Sequence, residues 1–328
     1  MKELVENFVH QLEEAREIGQ AFVFEGLGGK TIRNVVITGL GGSGIGGTIA
    51  QELVVEDCRV PVLVNKDYFL PKFVDEHTLL IVSSYSGNTE ETIHALKIGI
   101  ERGCEIACVS SGGEISKITA QHKINTILIP GGMPPRACLT YSLTQILYIF
   151  RAYNLVQDSF IADLARSIGA LKASEPEIKA SALDIANKIV NKIAVIYTTS
   201  GYEGAAVRIR QQLNENAKML CWHHVIPEMN HNELVGWTRE EQGLSVMFLR
   251  NSEDYSRIQK RIEICKGIIS KYAASITEVY ARGQSKTERT LYFILLGDWI
   301  SVYIAELRKV DAVEVKVIDY LKGSLAKD

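Results

Sequence analysis

Charge of one sign is nowhere in excess in this 328-residue sequence: 36 Lys and Arg stand against 39 Asp and Glu, a formal net charge of −3. Holding a nucleic-acid backbone requires Lys and Arg concentrated on one arm or helix. No such concentration occurs, so no nucleic-acid partner is expected. Cysteine is sparse, and the six present (Cys58, Cys104, Cys108, Cys138, Cys221 and Cys265) form no C-x-x-C pair and no zinc spacing. They read as reduced core thiols. No apolar run approaches the roughly 18 residues of a bilayer span, and the opening MKELVENFVHQLEEAR is acidic and amphipathic, unlike a signal peptide. The expectation is a cytoplasmic protein without membrane contact. At roughly 100–200 residues per domain, the length predicts about two domains, each able to bury its own core.

What the sequence does contain is a repeated alternation. Between Glu3 and Phe22, apolar residues recur at helical spacing with Glu and Arg between them, predicting one leading helix packed on the body. Short apolar runs follow at Val35–Ile37, Pro61–Val64, Leu79–Val82, Ile106–Val109 and Thr126–Ile129, each ending in small residues and followed by a helical stretch. Runs of this kind suit strands buried on both faces, and their alternation with helices predicts a doubly wound parallel sheet. A polar helical stretch from about Leu164 to Asn191 precedes a second set of runs at Ile193–Tyr197, Leu244–Phe248 and Ile276–Tyr280. The fold expected is α/β, with an N-terminal helix over 1–32, one parallel-sheet domain over 33–160 and a second over 161–328. The boundary falls near Leu155 to Ala173. Both halves pair a strand, a small-residue turn and a long helix, so an internal duplication is expected, and a shared strand order would support it.

Two loops could hold a ligand. Gly39-Leu-Gly-Gly-Ser-Gly44 is a formal G-x-G-x-x-G between a strand and a helix, where glycine lets backbone N–H groups approach an anion. A dinucleotide would also need an acidic residue closing the second strand, and Val64 is followed by Asn65 and Lys66. The third run ends in Ser83-Ser-Tyr-Ser-Gly-Asn-Thr89, where the hydroxyls of Ser84, Ser86 and Thr89 at a helix start can surround a phosphate monoester. A plain turn and N-cap would use the same residue types.

Together GLGGSG, SSYSGNTEET and Pro135-Arg136-Ala137 resemble the sugar isomerase (SIS) domain. With Asn214-Glu-Asn-Ala-Lys218, Pro227-Glu-Met-Asn-His-Asn232 and Ile318-Asp-Tyr-Leu-Lys322, nearly the whole chain resembles the bifunctional phosphoglucose/phosphomannose isomerase family of the phosphoglucose isomerase superfamily. The resemblance implies two SIS-type domains and conversion of glucose 6-phosphate to fructose 6-phosphate through a cis-enediolate, with no metal and no cofactor. It implies Glu215 as the proton-abstracting base, His231 as the ring-opening histidine, Lys322 assisting at the ring oxygen and Arg136 stabilising the enediolate. Ser84, Ser86 and Thr89 would hold the phosphate, with Gly42 and Ser43 lining the pocket, and His231 and Lys322 would also touch substrate. It further implies a homodimer in which His231 reaches the partner's site. One position departs from the pattern. Dual-specificity members carry threonine seven residues before the lysine, where this chain has Val315, so a hydroxyl is missing and mannose 6-phosphate turnover is expected to suffer.

An isolated Glu on a helix such as that of Glu215 is ordinarily a solvated carboxylate; the matching segment is what raises it. His223, His224 and His231 with Glu228 suggest metal, but adjacent histidines point apart in regular structure and no H-x₃-H pair exists. Tyr141, Tyr148 and Phe150 read as core, whereas Trp222 and Trp237 could wall a pocket or pack. A non-catalytic sugar-phosphate-binding regulator would need an output module, usually a basic helix-turn-helix, where residues before the first run read as one acidic helix. A nicotinamide-dependent oxidoreductase would rest on the first glycine loop alone. Glucosamine 6-phosphate synthesis would require a glutaminase domain for which there is no room. The substrate is expected between domains, at the C-terminal ends of the strands.

Overall fold

A computed structural model describes residues 1–27 and 29–325. Residue 28, in the predicted N-terminal segment, and residues 326–328, in the predicted second domain, lie outside the described residues. The chain forms two compact units. One comprises Glu6–Ala173 and Gly283–Glu288; the other comprises Met1–Val5, Ser174–Arg282 and the chain from Arg289 onward.

The N-terminal unit holds helix α2 (Phe8–Ala21), β1 (Asn34–Thr38), α3 (Gly41–Val54), β2 (Val62–Asn65), β3 (Thr78–Ser84), α4 (Glu90–Glu101), β4 (Glu105–Ser110), α5 (Gly113–Gln121), β5 (Asn125–Leu128) and α6 (Leu139–Ala152). The preceding helix α1 (Lys2–Glu6) and α2 replace the single leading helix of the prediction, because Asn7 leaves helical geometry at φ −81° and ψ 4°. All five strands are parallel in the order β2-β1-β3-β4-β5. Every residue of β3 is buried, which is why its sequence is a continuous apolar run rather than an alternating one. One face packs Val36, Leu80, Val82 and Cys108 against Ala95, Leu96 and Ile115 of the covering helices. The α2 helix lies on α6 so closely that a Cβ at Gly19 would meet the Tyr148 ring at 2.1 Å. Tyr141, Tyr148 and Phe150 are indeed core residues, and Tyr141 donates to Glu14 on α2 at 2.5 Å.

The other unit contains β6 (Ile193–Thr199), α8 (Glu203–Glu215), β7 (Cys221–Ile226), β8 (Glu241–Arg250), α9 (Ser256–Ile269), β9 (Ala273–Tyr280) and α11 (Lys316–Leu325). The chain passes from one unit to the other within α1, within the long helices α7 (Ser159–Ile189) and α10 (Lys286–Arg308), and at Arg282–Gly283 just before α10. The four strands are again parallel, in the order β7-β6-β8-β9. That order repeats the β2-β1-β3-β4 portion of the first sheet, which supports duplication. The core joins Val195, Tyr197, Val246 and Phe248 to Ile262, Cys265 and Ile269 of α9.

Two expectations need correction. Strand β7 was not predicted: CWHHVI is an edge strand with five of its six residues only half-buried, so it carries no apolar run. Helix α10 is long and apolar enough to cross a membrane by length and composition, contrary to the expectation of no such stretch, but 83% of its most apolar window is buried as a core helix. The isolated charge in its middle, Asp298, is paired with Arg208.

Candidate active site

Parallel strands deliver their C-terminal ends to one edge, and ligands of open sheets bind where the winding direction reverses. Here that is between β1 and β3, where the two predicted loops begin. The glycine loop is shaped by packing. A Cβ at Gly39 would meet the Ser83 carbonyl at 2.6 Å, one at Gly42 the Pro135 carbonyl at 2.8 Å, and one at Gly44 the Gly39 carbonyl at 2.5 Å. The loop is therefore pressed against β3 and against the 3₁₀ turn Pro135–Ala137. Ser43 is buried and its Oγ accepts the N–H of Tyr85 at 3.0 Å. It braces the second loop.

In that loop Ser84 is buried and donates its hydroxyl to Thr89 Oγ1 at 3.1 Å. Thr89 precedes α4 in extended geometry, and no side chain caps that helix. The dipole and first N–H groups of α4 thus face the Ser84–Thr89 loop. Exposed Ser86 accepts the Asn88 N–H at 3.2 Å, and the Asn88 side chain accepts the Glu114 N–H at 3.0 Å. Gly87 sits at φ +67°, with the Gly112 carbonyl 1.8 Å from where a Cβ would stand. Arg136 is nearly fully buried in its 3₁₀ turn, and its Cα lies 3.3 Å from a Cβ built on Gly42. Gly42, Ser43, Ser84, Thr89 and Arg136 are thereby assembled by direct packing, with Ser86 on the exposed rim. A cavity of about 180 Å³ lined by Leu53, Val54, Leu147 and Phe160 lies elsewhere, roughly 18 Å away along α3 from its glycine-rich start.

In the other unit Glu215 is the last residue of α8, half-buried. Its helix is fixed from below: Arg208 makes a buried bidentate pair with Asp298 of α10 at 3.1 and 2.9 Å, and Gln212 donates to the same carboxylate at 2.9 Å. Gly297 allows this approach, since a Cβ there would meet Ile209 at 2.3 Å. Arg208 is thus a structural cation. Arg210 instead lies 3.1 Å from His223 Nδ1, whose other ring nitrogen is 3.4 Å from Glu203. Burial holds the His223 pKa below its ordinary value, Arg210 adds to this, and Glu203 opposes it. His224 turns away, its Nδ1 accepting the Val225 N–H at 2.8 Å. Among the described residues no group of three or more His, Cys, Asp and Glu is placed to hold a metal ion.

His231 is exposed, at the end of a 3₁₀ turn that follows β7. The adjoining Glu233 accepts the Tyr197 hydroxyl at 2.5 Å and the Trp222 indole N–H at 3.0 Å, while Trp237 donates to the Tyr197 oxygen at 3.0 Å. Trp222 and Trp237 are therefore anchors of the histidine segment. Tyr197 is held un-ionised by burial and by the Glu233 carboxylate. Lys322 is exposed on α11, a helix without a buried residue, and Val315 supplies the carbonyl that starts it.

The arrangement corrects one expectation. Helix α8 runs back from the C-terminal end of β6 to the N-terminal end of β7, so Glu215 sits at the opposite sheet edge from His231. The six residues of β7 alone separate those edges by roughly 20 Å. Strand C-terminal ends thus carry the candidate phosphate loop and His231, but not Glu215. Gly87 and Asn88 lay within the loop picked out in the sequence but had no role there, and Glu233 was not picked out at all; the Gly-Asn pair beside the hydroxyls was the available signal of a tight turn.

Residues 178–325 match the bacterial phospho-glucose isomerase C-terminal SIS domain. Over its full length the chain is 37% identical to a bifunctional phosphoglucose/phosphomannose isomerase of Caldicellulosiruptor bescii, covering 99% of that relative. It is 31% identical to a D-glucosamine-6-phosphate 4-epimerase of Sulfolobus acidocaldarius, over 90% of each chain. In fold it is similar to the C-terminal domain of a glucosamine-fructose-6-phosphate aminotransferase from Francisella tularensis, at TM-score 0.76 and 13% identity, over 95% of this chain and 98% of that one.

Proposed function

Since this chain belongs to the bifunctional phosphoglucose/phosphomannose isomerase family, we propose that Ser84, Ser86 and Thr89 anchor the 6-phosphate of its hexose substrate while Glu215 moves the proton. The protein is an aldose–ketose isomerase acting on hexose 6-phosphates. The observation that carries the site assignment is the Ser84–Thr89 hydroxyl pair at the uncapped start of α4, braced by Ser43. Hydroxyl donors and a helix N-terminus suit a dianion.

With the phosphate fixed, His231 and Lys322 open the ring by moving the C1 hydroxyl proton to the ring oxygen as the bond between C1 and that oxygen breaks. The Glu215 carboxylate then takes the C2 proton of the open aldose, the electron pair forms the C1–C2 double bond, and the aldehyde oxygen becomes the enediolate oxygen. Arg136 offsets that charge. Return of the proton to C1, with the C2 hydroxyl proton passed to the C1 oxygen, yields the ketose. The roughly 20 Å between the sheet edges bearing Glu215 and His231 supports a homodimer in which the partner supplies the histidine. We assign the enzyme to the cytoplasm.

The test is to supply fructose 6-phosphate and measure glucose 6-phosphate and mannose 6-phosphate separately, with Glu215→Gln as control. Glucose 6-phosphate as the main product is expected from Val315, and equal amounts of both would show that the missing hydroxyl is tolerated. Full activity in Glu215→Gln would remove the assigned base. No product from fructose 6-phosphate, with glucosamine 6-phosphate epimerised at C4, would replace isomerisation by the chemistry of the Sulfolobus relative.

A further inference from the structure

Lys218 belongs to the Asn214–Lys218 segment but has no role in the mechanism above. Its Nζ donates to the Glu215 carbonyl at 2.5 Å and to the Glu314 carbonyl at 2.6 Å. The first acceptor is among the last carbonyls of α8, which lack partners within the helix and favour a cation. The second lies one residue before Val315, whose carbonyl accepts the Ile318 and Asp319 N–H groups and so begins α11. One ammonium therefore joins the end of the helix that carries Glu215 to the start of the helix that carries Lys322.

The local backbone is shaped around this bond. Lys218 adopts φ 53°, a left-handed conformation unfavourable for a side chain of its kind. The turn is held from its other side by Asn214, which donates to the Met219 carbonyl at 2.6 Å, and by the Met219 N–H donating to Leu213 at 3.1 Å. Buried Asn216 donates to Ser301 of α10 at 2.9 Å. Helix α11, by contrast, buries no residue of its own in the chain. Its placement depends on the segment that precedes it, where Lys218 makes its second bond.

We propose that Lys218 is a positioning residue for the isomerisation: it sets the α11 helix, and with it Lys322, against the end of α8 where Glu215 stands. The inference rests on the roles given to Glu215 and Lys322 above. A displacement of about 1 Å in such a pair costs up to roughly a hundredfold in rate.

The experiment compares wild type, Lys218→Met and Lys218→Arg in fructose 6-phosphate turnover and in amide hydrogen exchange. Lys218→Met should lower kcat roughly tenfold to a hundredfold with KM nearly unchanged, because the phosphate anchor is untouched. Lys218→Arg, which keeps charge and donors, should recover part of the loss. Exchange should accelerate across residues 314–325 in Lys218→Met while β6 stays protected. Wild-type kcat in Lys218→Met, a loss confined to KM, or unchanged α11 exchange would each overturn the proposal. If Lys218→Met does not fold, Lys218→Gln carries the same comparison. Absence of turnover in the wild type would defeat the isomerase reading instead, and α11 exchange would then decide the clamp by itself.

Discussion

Ser43 accepts the backbone N–H of Tyr85 at 3.0 Å, joining the loop after β1 to the loop after β3 with one side-chain hydrogen bond. Both partners are buried. Ser43→Ala leaves that N–H unsatisfied, which costs about 1–3 kcal/mol. The expected outcome is a lower urea midpoint together with a raised KM for fructose 6-phosphate. A raised KM at unchanged stability would mean that Ser43 touches the substrate and does not brace the loop.

Gly87 and Gly26 share φ +67°, but Gly87 has the Gly112 carbonyl 1.8 Å from its would-be Cβ and Gly26 has nothing within 4 Å. Gly26→Ala should cost about 1–2 kcal/mol of backbone strain and leave kinetics alone. Gly87→Ala must displace the candidate phosphate loop, so kcat/KM should fall at least about tenfold through KM. Equal behaviour of the two variants would show that backbone strain alone, not the close approach, matters at Gly87.

The buried Arg208–Asp298 pair anchors the helix that ends in Glu215. Asp298→Leu alone removes the carboxylate that balances a buried guanidinium and should cost about 3–5 kcal/mol in chemical denaturation. Arg208→Leu with Asp298→Leu should cost clearly less, because no uncompensated charge remains. Additive losses in the double variant would contradict this account.

His223 titrates below its ordinary value because it is buried, with Arg210 beside it. The unfolded chain therefore binds this proton at a higher pH than the folded one does. The stability that His223 contributes is complete above the unfolded value of about 6.5 and declines as pH falls toward the folded pKa. Urea midpoints measured from pH 8 to pH 5 should drop below about 6.5, and His223→Gln should flatten that part of the curve.

If the partner supplies His231, two inactive variants can repair one another. Glu215→Gln and His231→Asn, co-refolded, should form mixed dimers in which one site has both wild-type residues, and turnover should return. Each variant refolded alone should stay inactive. Persistent inactivity of the mixture, with mixed dimers present by mass, would place both residues in one chain's site.

The strands β1, β3, β4, β6 and β8 were legible because parallel strands covered on both faces need unbroken apolar runs. Strand β7 was not, because an edge position tolerates His and Trp half-exposed. The hydroxyls of Ser84, Ser86 and Thr89 could be found because they crowd six consecutive residues. Glu233 and Lys218 could not, since their partners, Tyr197 and Trp222 for one and the Glu314 carbonyl for the other, are brought close only by the fold.

By itself the sequence determined the alternating α/β plan, the two candidate ligand loops and the family to which the chain belongs. These depend on local patterns: strand burial, small residues where backbones approach, hydroxyls before a helix. Only the tertiary structure decided that Ser43 is a brace and that Arg208 is a structural cation paired with Asp298. It also decided that Glu215 stands at the opposite sheet edge from His231. Each of these depends on a partner distant in sequence, and on the reversal of direction that a crossover helix such as α8 must make between parallel strands.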